Sequence, residues 1–252
     1  MSEAWLEGRI VENRHWTENL WSLRVEGAAL SFRAGQFVRI ALDLREGDET
    51  SRVARAFSFV NPPQDPVLEF YGVTVPEGPL SPRLAQLRPG DRLHVAPNPA
   101  GFLTLSEVPG AAESLWLIST GTGIAPFLSI LRTEAPWQRF RRLVLVHAVR
   151  YGRERTYRDR IEGMLRERPG QLSYVSLVSR EAAPDALAGR IPAAIGDGRL
   201  EGAAGLAFGD TSHVMLCGNP QMLRDTQAVL AARGLRKHRR RTPGHISVES
   251  FW

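Results

Sequence analysis

A single cysteine, Cys217, stands in 252 residues. One thiol excludes a disulfide within the chain, and it excludes an iron–sulfur cluster held by four cysteines of one chain. Any redox cofactor must therefore be held by other means. No apolar run is long enough to cross a bilayer. The start, Met1-Ser2-Glu3-Ala4-Trp5, lacks the basic opening and long apolar core of an export signal, so a cytoplasmic location is expected. Repeats and low-complexity segments are also missing. What is present is a globular composition, 43% hydrophobic, long enough for one large domain or two of ordinary size. The formal net charge is +5. That balance favours anionic partners: nucleic acid, nucleotide phosphates or an acidic protein. The surplus is densest in Arg236-Lys237-His238-Arg239-Arg240-Arg241.

Two rhythms divide the chain. Residues 1–106 carry short strand-like runs at 5–11, 20–25, 36–42, 54–60, 67–75 and 92–95. Turn residues separate them: Ala34-Gly35, Gly47-Asp48, Asn61-Pro62-Pro63 and Pro89-Gly90-Asp91. This spacing predicts an antiparallel β-barrel. Residues 107–252 alternate apolar runs at 115–118, 143–149, 172–178 and 213–217 with helical stretches at 124–134, 154–167 and 220–233. That alternation predicts an α/β domain built on a parallel sheet. The boundary is expected in Ser106-Glu107-Val108-Pro109-Gly110.

The most informative stretch is Thr120-Gly121-Thr122-Gly123-Ile124-Ala125-Pro126-Phe127. It follows the apolar run Ser114-Leu115-Trp116-Leu117-Ile118 and opens a helical pattern. Glycines let a backbone turn tightly beside a ligand, and Pro126 suits a first helical turn. Strand, glycine turn and helix start together make a diphosphate cradle. A dinucleotide, and so redox chemistry, is the implied use; ordinary turn glycines are the plainer one.

The neighbouring strand ends choose between dinucleotides. An acid near the end of the second strand suits the ribose hydroxyl of NAD, whereas arginine suits a 2′-phosphate. Here the run ending in Val149 is followed by Arg150, and Ser179-Arg180 follows the next. Arg190 lies shortly after, in Gly189-Arg190-Ile191-Pro192. Planar guanidinium groups suit a phosphate, so NADP(H) is expected. The last strand ends in Cys217-Gly218-Asn219-Pro220. Cys217 is either a neighbour of a nicotinamide ring or a small buried apolar residue.

In the first half, Arg55-Ala56-Phe57-Ser58 lies on one strand and Tyr71 on the next. Read locally, these are ordinary barrel residues. Gly78-Pro79-Leu80-Ser81-Pro82-Arg83-Leu84 reads as an N-cap serine with proline opening a helix, a second anion site. Two anion sites on two domains suggest two nucleotides.

With these motifs in order, the chain resembles the bacterial branch of the ferredoxin/flavodoxin–NADP reductase family. The matching elements are Arg55-Ala56-Phe57-Ser58, Pro79-Leu80-Ser81-Pro82-Arg83-Leu84, Gly121-Thr122-Gly123-Ile124-Ala125-Pro126, and Cys217-Gly218-Asn219-Pro220 with Met222 and Asp225. The chain end, Gly244-His245-Ile246-Ser247-Val248-Glu249-Ser250-Phe251-Trp252, is similar to the aromatic ending of the bacterial enzymes. The resemblance implies non-covalent FAD in the barrel. Arg55 and Ala56 would meet its diphosphate side, with Pro79, Leu80 and Ser81. Phe57 would pack on the flavin, Ser58 would lie near N5, and Tyr71 would stack on the ring. Thr122, Phe251 and Trp252 would complete that site. NADP(H) would lie on Gly121, Gly123, Val149, Arg150, Ser179, Arg180, Arg190, Asn219, Pro220 and Asp225. Ser58 and Cys217 would stand nearest the reacting atoms. Glu249 is a proton-handling group by the same resemblance, or an exposed tail carboxylate when read locally. At Phe57 the family signature has tyrosine, so the ring can pack but the hydroxyl is gone.

The implied reaction is hydride transfer between NADP(H) and FAD, then single-electron exchange with ferredoxin or flavodoxin. The basic run 236–241 would steer an acidic carrier, since no nucleic-acid signature accompanies it. A monomer is the simplest expectation. Two other uses stay open: a flavin-dependent NADPH reductase serving an oxygenase or free flavin, and a non-catalytic NADPH-binding module.

Overall fold

A computed structural model describes residues 4–47 and 49–250. The chain divides into two compact units. One takes the chain up to Thr104 together with Leu128–Thr133; the other takes Leu105–Phe127 and the chain from Glu134 onward.

The first unit holds β1 (Leu6–His15), β2 (Leu20–Glu26), β3 (Phe37–Glu46), β4 (Glu49–Ser58), β5 (Leu68–Val73), α1 (Ser81–Ala85) and β6 (Arg92–Val95). The sheet order is β4-β3-β6-β1-β2-β5, and every neighbouring pair is antiparallel. Its two end strands meet. Phe59, just past β4, forms an antiparallel bridge with Phe70 of β5. The Val60 N–H donates to the Glu69 carbonyl at 2.8 Å. The result is the antiparallel barrel that the spacing predicts. Its core takes alternate residues of each strand, among them Trp21, Leu23, Ile40, Phe59, Phe70 and Val95, and is plugged from α1 by Leu80 and Leu84. Phe32 stacks on Phe59 with centroids 3.8 Å apart. Each such side chain contributes about 2–3 kcal/mol of burial free energy. β4 starts earlier than its apolar pattern suggests. Glu49, Thr50, Ser51 and Arg52 are all exposed, so they carry no alternation, yet they pair with β3 in register.

The second unit holds β7 (Ser114–Thr120), the start of α2 (Ala125–Leu131), α3 (Ala135–Arg139), β8 (Arg142–Val149), α4 (Arg158–Glu167), β9 (Leu172–Val178), β10 (Leu187–Ala188), α5 (Ile191–Gly196), α6 (Arg199–Ala204), β11 (Ser212–Gly218), α7 (Pro220–Ala232) and β12 (Ile246–Ser250). The sheet is parallel throughout, in the order β10-β9-β8-β7-β11-β12. β7, β8 and β11 are buried almost end to end, because helices cover both faces of such a sheet. That burial is why their sequences read as unbroken apolar runs.

Several elements differ from expectation. The helix expected over 124–134 is shorter: a 3-10 turn over Gly121–Ile124 leads into α2, which ends at Leu131, and α3 begins separately at Ala135. Pro136 at the start of α3 cannot donate into a continuing helix. α4 begins at Arg158 rather than 154, because Tyr157 takes a left-handed φ of 59°. β12 lies in the segment read only as an aromatic ending. The basic run 236–241 is extended alongside it. Lys237, the only lysine of the chain, bridges Ile246, and Arg239 bridges Thr242 across a tight turn. Arg240 makes a two-pronged ion pair with Glu107 at 2.7 and 3.0 Å. Half-buried Arg139 donates to the carbonyls of Leu105, Val108 and Pro109 at 2.6, 2.6 and 2.9 Å. No helix among the described residues is long and apolar enough to cross a membrane.

Candidate functional site

In the second unit the chain moves from β7 outward to β8 and β9, then returns to the other side of β7 with β11. Ligands of open α/β sheets bind beyond the carboxyl ends of the strands at such a reversal. The ends here are Thr120 and Gly218. The two backbones are unusually close. A Cβ on Gly123 would lie 2.5 Å from the Cys217 carbonyl oxygen, and one on Gly218, at φ +133°, would lie 2.2 Å from Thr120 Oγ1. Glycine is required at both, so the turn can cross over β11. Thr120 Oγ1 accepts the Asn219 N–H at 2.9 Å, which ties the two strand ends together. Asn219 Oδ1 then accepts from Gln221 and Met222 at 2.9 and 3.2 Å, capping α7 with Pro220 in its first turn.

A residue that the sequence reading passed over supports this turn from below. His147 of β8 is fully buried, and its Nε2 lies 3.0 Å from the Gly121 carbonyl. Burial holds its pKa down, at about 4. The ring is therefore neutral at ordinary pH, and an Nε2–H facing a carbonyl must donate. Only the sequence separation of 26 residues hid this contact, since nothing local marks His147 as more than a strand residue.

The ends of β8 and β9 bring Arg150, Ser179 and Arg180 together. Ser179 N–H donates to the Val149 carbonyl at 3.1 Å, and Arg180 N–H to that of Arg150 at 2.9 Å. Arg150, Arg180 and Arg190 are exposed. Among the described residues, none of their guanidinium groups has a carboxylate partner, so their charge faces solvent. Asp225 is exposed one turn into α7 and accepts from Gln221 Nε2 at 2.7 Å.

In the first unit a second group of predicted residues gathers where β4 meets β5. The antiparallel register through the Phe59–Phe70 bridge sets Ser58 across from Tyr71. Both are buried, at 3% exposure, on the face opposite Phe59 and Phe70. Ser58 Oγ is buried without a hydrogen-bond partner. An orphaned hydroxyl is costly, and it marks a place where a ligand group can complete the hydrogen bond. Arg55 and Ala56 are exposed, and Arg55 donates to the Ala54 carbonyl at 2.7 Å. Phe57 packs against Trp21 and Phe70, with centroids 5.9 and 6.5 Å apart.

The N-cap expected at Ser81 is corrected by the structure. Ser81 is the first helical residue, Leu80 is the cap, and no side chain caps α1. Ser81 Oγ instead accepts the Val75 N–H at 2.9 Å, which closes the Thr74–Ser81 loop. Leu80 is a core residue at 1% exposure, so only its backbone faces outward. Pro79 is exposed beside it.

Residues 117–228 match the family model of the oxidoreductase NAD-binding domain. The chain is 48% identical over 250 residues to the flavodoxin/ferredoxin–NADP reductase of Shigella flexneri, covering 98% of this chain and 99% of that protein. The same figures hold for the enzyme of that name from Escherichia coli K12. The chain belongs to the flavodoxin/ferredoxin–NADP reductase family. A solved structure of a ferredoxin–NADP+ reductase from Neisseria gonorrhoeae, with bound FAD and NADP, is also similar: TM-score 0.91, 32% identity, 99% of each chain covered.

Within this reductase fold, β11 sets Cys217 in register between Ser119 of β7 and Glu249 of β12. Cys217 is fully buried, and burial, with the Glu249 carboxylate, pushes its thiol well above the usual range. A thiol so placed stays protonated at ordinary pH. Glu249 is half-buried, not an exposed tail residue. Burial raises its carboxyl to about 7, and its Oε1 has no hydrogen-bond partner. Thr122 is buried in the glycine turn. Phe251 and Trp252 lie outside the described residues.

Proposed function

We propose that this chain is a flavoprotein reductase that binds FAD in the barrel, residues 1–106, and NADP(H) in the α/β domain, residues 107–252. Bound FAD would supply the capacity to accept a hydride from NADPH and to pass electrons on singly, chemistry that amino-acid side chains lack. Ferredoxin or flavodoxin is the electron carrier served. The observation that carries the reading is the paired strand-end geometry of the second unit: a glycine turn seated on β11 beside uncompensated Arg150 and Arg180.

The roles of the residues follow from their chemistry. The Gly121–Gly123 turn lets a diphosphate approach the backbone, and His147 holds that turn in place. Arg150, Arg180 and Arg190 receive a 2′-phosphate through charge-assisted hydrogen bonds; Val149 and Ser179 shape the adjoining strand ends. Asn219, Pro220 and Asp225 frame the nicotinamide half. In the barrel, the free Ser58 hydroxyl donates to the flavin and Tyr71 packs on its ring, while Phe57, turned to the barrel core against Trp21 and Phe70, supports that strand from behind; Arg55, Ala56, Pro79, Leu80 and Ser81 take the diphosphate. Glu249, neutral below about pH 7, supplies or receives a proton near Cys217. The protein works as a cytoplasmic monomer, with no nucleic-acid or membrane partner.

The visible spectrum of the purified protein tests the reading. Flavin bands should bleach with NADPH and far less with NADH. Arg150→Ala and Arg180→Ala should each narrow the NADPH-over-NADH ratio of kcat/KM by about tenfold. A colourless protein, or flavin bands equally bleached by both dinucleotides, would refute it. The carrier is checked by comparing turnover with ferredoxin, flavodoxin and free FMN.

A further inference from the structure

At the end of β8 the chain turns through Arg150-Tyr151-Gly152-Arg153. Three successive backbone N–H groups there are taken by two carboxylates. Glu154 Oε2 accepts from Arg150 and Tyr151 at 2.9 and 3.1 Å, and Glu181 Oε1 accepts from Gly152 at 2.6 Å. Successive amides of this kind form a nest for anions, and here the protein's own acids fill it. Both carboxylates are thus turned onto backbone. Arg155 is also occupied, donating to Gly152 and Pro184 carbonyls and to Ser176 Oγ. Arg153 and Arg180 differ. Their guanidinium carbons lie 4.9 and 5.9 Å from the centre of the Tyr151 ring. Neither guanidinium has a hydrogen-bond or ion-pair partner among the described residues.

We infer that Tyr151 is a positioning residue for the 2′-phosphate end of NADP(H), and that Arg153, which shares its ring with Arg180, is a further phosphate-binding residue. A ring attracts a guanidinium through its face and engages none of its N–H donors. The two side chains therefore lose rotamer freedom before the ligand arrives, while all their donors stay available. Glu154 and Glu181 fix the turn from which Tyr151 and Arg153 project, and their engagement with backbone keeps them from pairing with the two arginines. The inference rests on the reading that this strand end holds the 2′-phosphate.

Calorimetric titration of the flavin-loaded protein with 2′,5′-ADP and with 5′-AMP separates the two. Arg153→Ala and Tyr151→Ala should each weaken 2′,5′-ADP by about three- to tenfold and leave 5′-AMP within about twofold. Tyr151→Phe keeps the ring face and should retain the parent affinity. Tyr151→Ala combined with Arg180→Ala should lose less than the product of the single effects, because one acts through the other. KM for NADPH should rise in the same order, with kcat at saturation little changed. If Arg180→Ala weakens 2′,5′-ADP while Tyr151→Ala and Arg153→Ala do not, the inference fails and the underlying reading stands. If Arg180→Ala is itself without effect on 2′,5′-ADP, the reading fails and takes the inference with it. A Tyr151→Phe loss equal to that of Tyr151→Ala would also overturn the role given to the ring.

Discussion

Replacing Gly218 by alanine imposes two independent penalties at one atom. The new Cβ would stand 2.2 Å from Thr120 Oγ1, and 2.9 and 3.1 Å from the Thr120 carbonyl oxygen and nitrogen. Backbone atoms cannot rotate away, and Thr120 Oγ1 is held by the Asn219 N–H. Overpacking of this kind costs about 1–3 kcal/mol. The φ of +133° adds strain of about 1–3 kcal/mol for a residue with a Cβ. Together the loss should be about 3–5 kcal/mol. Three neighbours separate the terms. Gly123→Ala has the overlap without the positive φ, with its Cβ 2.5 and 2.8 Å from the Cys217 carbonyl oxygen and carbon, and should lose about 2–3 kcal/mol. Gly121→Ala, at φ +52° with nothing within 4 Å, carries strain alone and should lose about 1 kcal/mol. Gly209→Ala meets neither condition and should be within about 0.5 kcal/mol of the parent. Urea unfolding followed by tryptophan fluorescence gives the four values. A Gly218→Ala loss no greater than that of Gly121→Ala would refute the close approach of β7 and β11.

Two further predictions concern single side chains, one in β12 and one just past the end of β11. The Glu249 carboxyl is raised by burial from 4.5 to about 7, so the native state holds a proton that the unfolded chain releases. Its stabilising effect is complete below about pH 4.5 and is lost as pH rises through about 7, an amount near 3 kcal/mol that partial exposure reduces to about 2. Glu249→Gln should therefore abolish about 2 kcal/mol of the parent's loss in unfolding free energy between pH 4.5 and 8; equal losses in both proteins would contradict the burial argument. Asn219→Ala removes the acceptor of two α7 amides and should cost about 1 kcal/mol by the same urea measurement, with Asn219→Ser recovering most of it.

The parts of the fold legible in the sequence are those whose environment is uniform along a segment. β7, β8 and β11 read directly because a strand covered on both faces is mostly apolar, and β9 reads through its β-branched and aromatic content although Ser173 and Tyr174 are only half-buried. The barrel strands read through their alternation, and β4 was shortened where Glu49–Arg52 lies wholly in solvent. The two-residue strand β10 carries no period that a sequence can show, and β12 is set by its pairing with β11 rather than by its own composition. The glycine turn is legible as a turn, but the reason for Gly123 lies in the backbone of Cys217 and Gly218, and the reason for Gly218 in Thr120, about a hundred positions away in sequence. Ser81 shows the opposite limit. Ser-Pro at a helix start is a fair capping signal, yet the hydroxyl found a nearer donor at Val75. His147 and Tyr151 meet Gly121 and Arg180 only because the sheet brings those residues close, and no local pattern marks them.

The basic turn beside β12 has one practical consequence. Lys237 is the only lysine, and it sits in that turn, bridged to Ile246. Every other positive side chain there and elsewhere, histidines aside, is a guanidinium, which carbodiimide and succinimidyl chemistry leaves untouched. The chain thus carries one side-chain amine at a fixed address. A zero-length crosslink from an acidic electron carrier to a peptide containing Lys237 would map that carrier to this turn without any engineered label, and a fluorophore attached through an amide would report on it alone once the terminal amine is blocked.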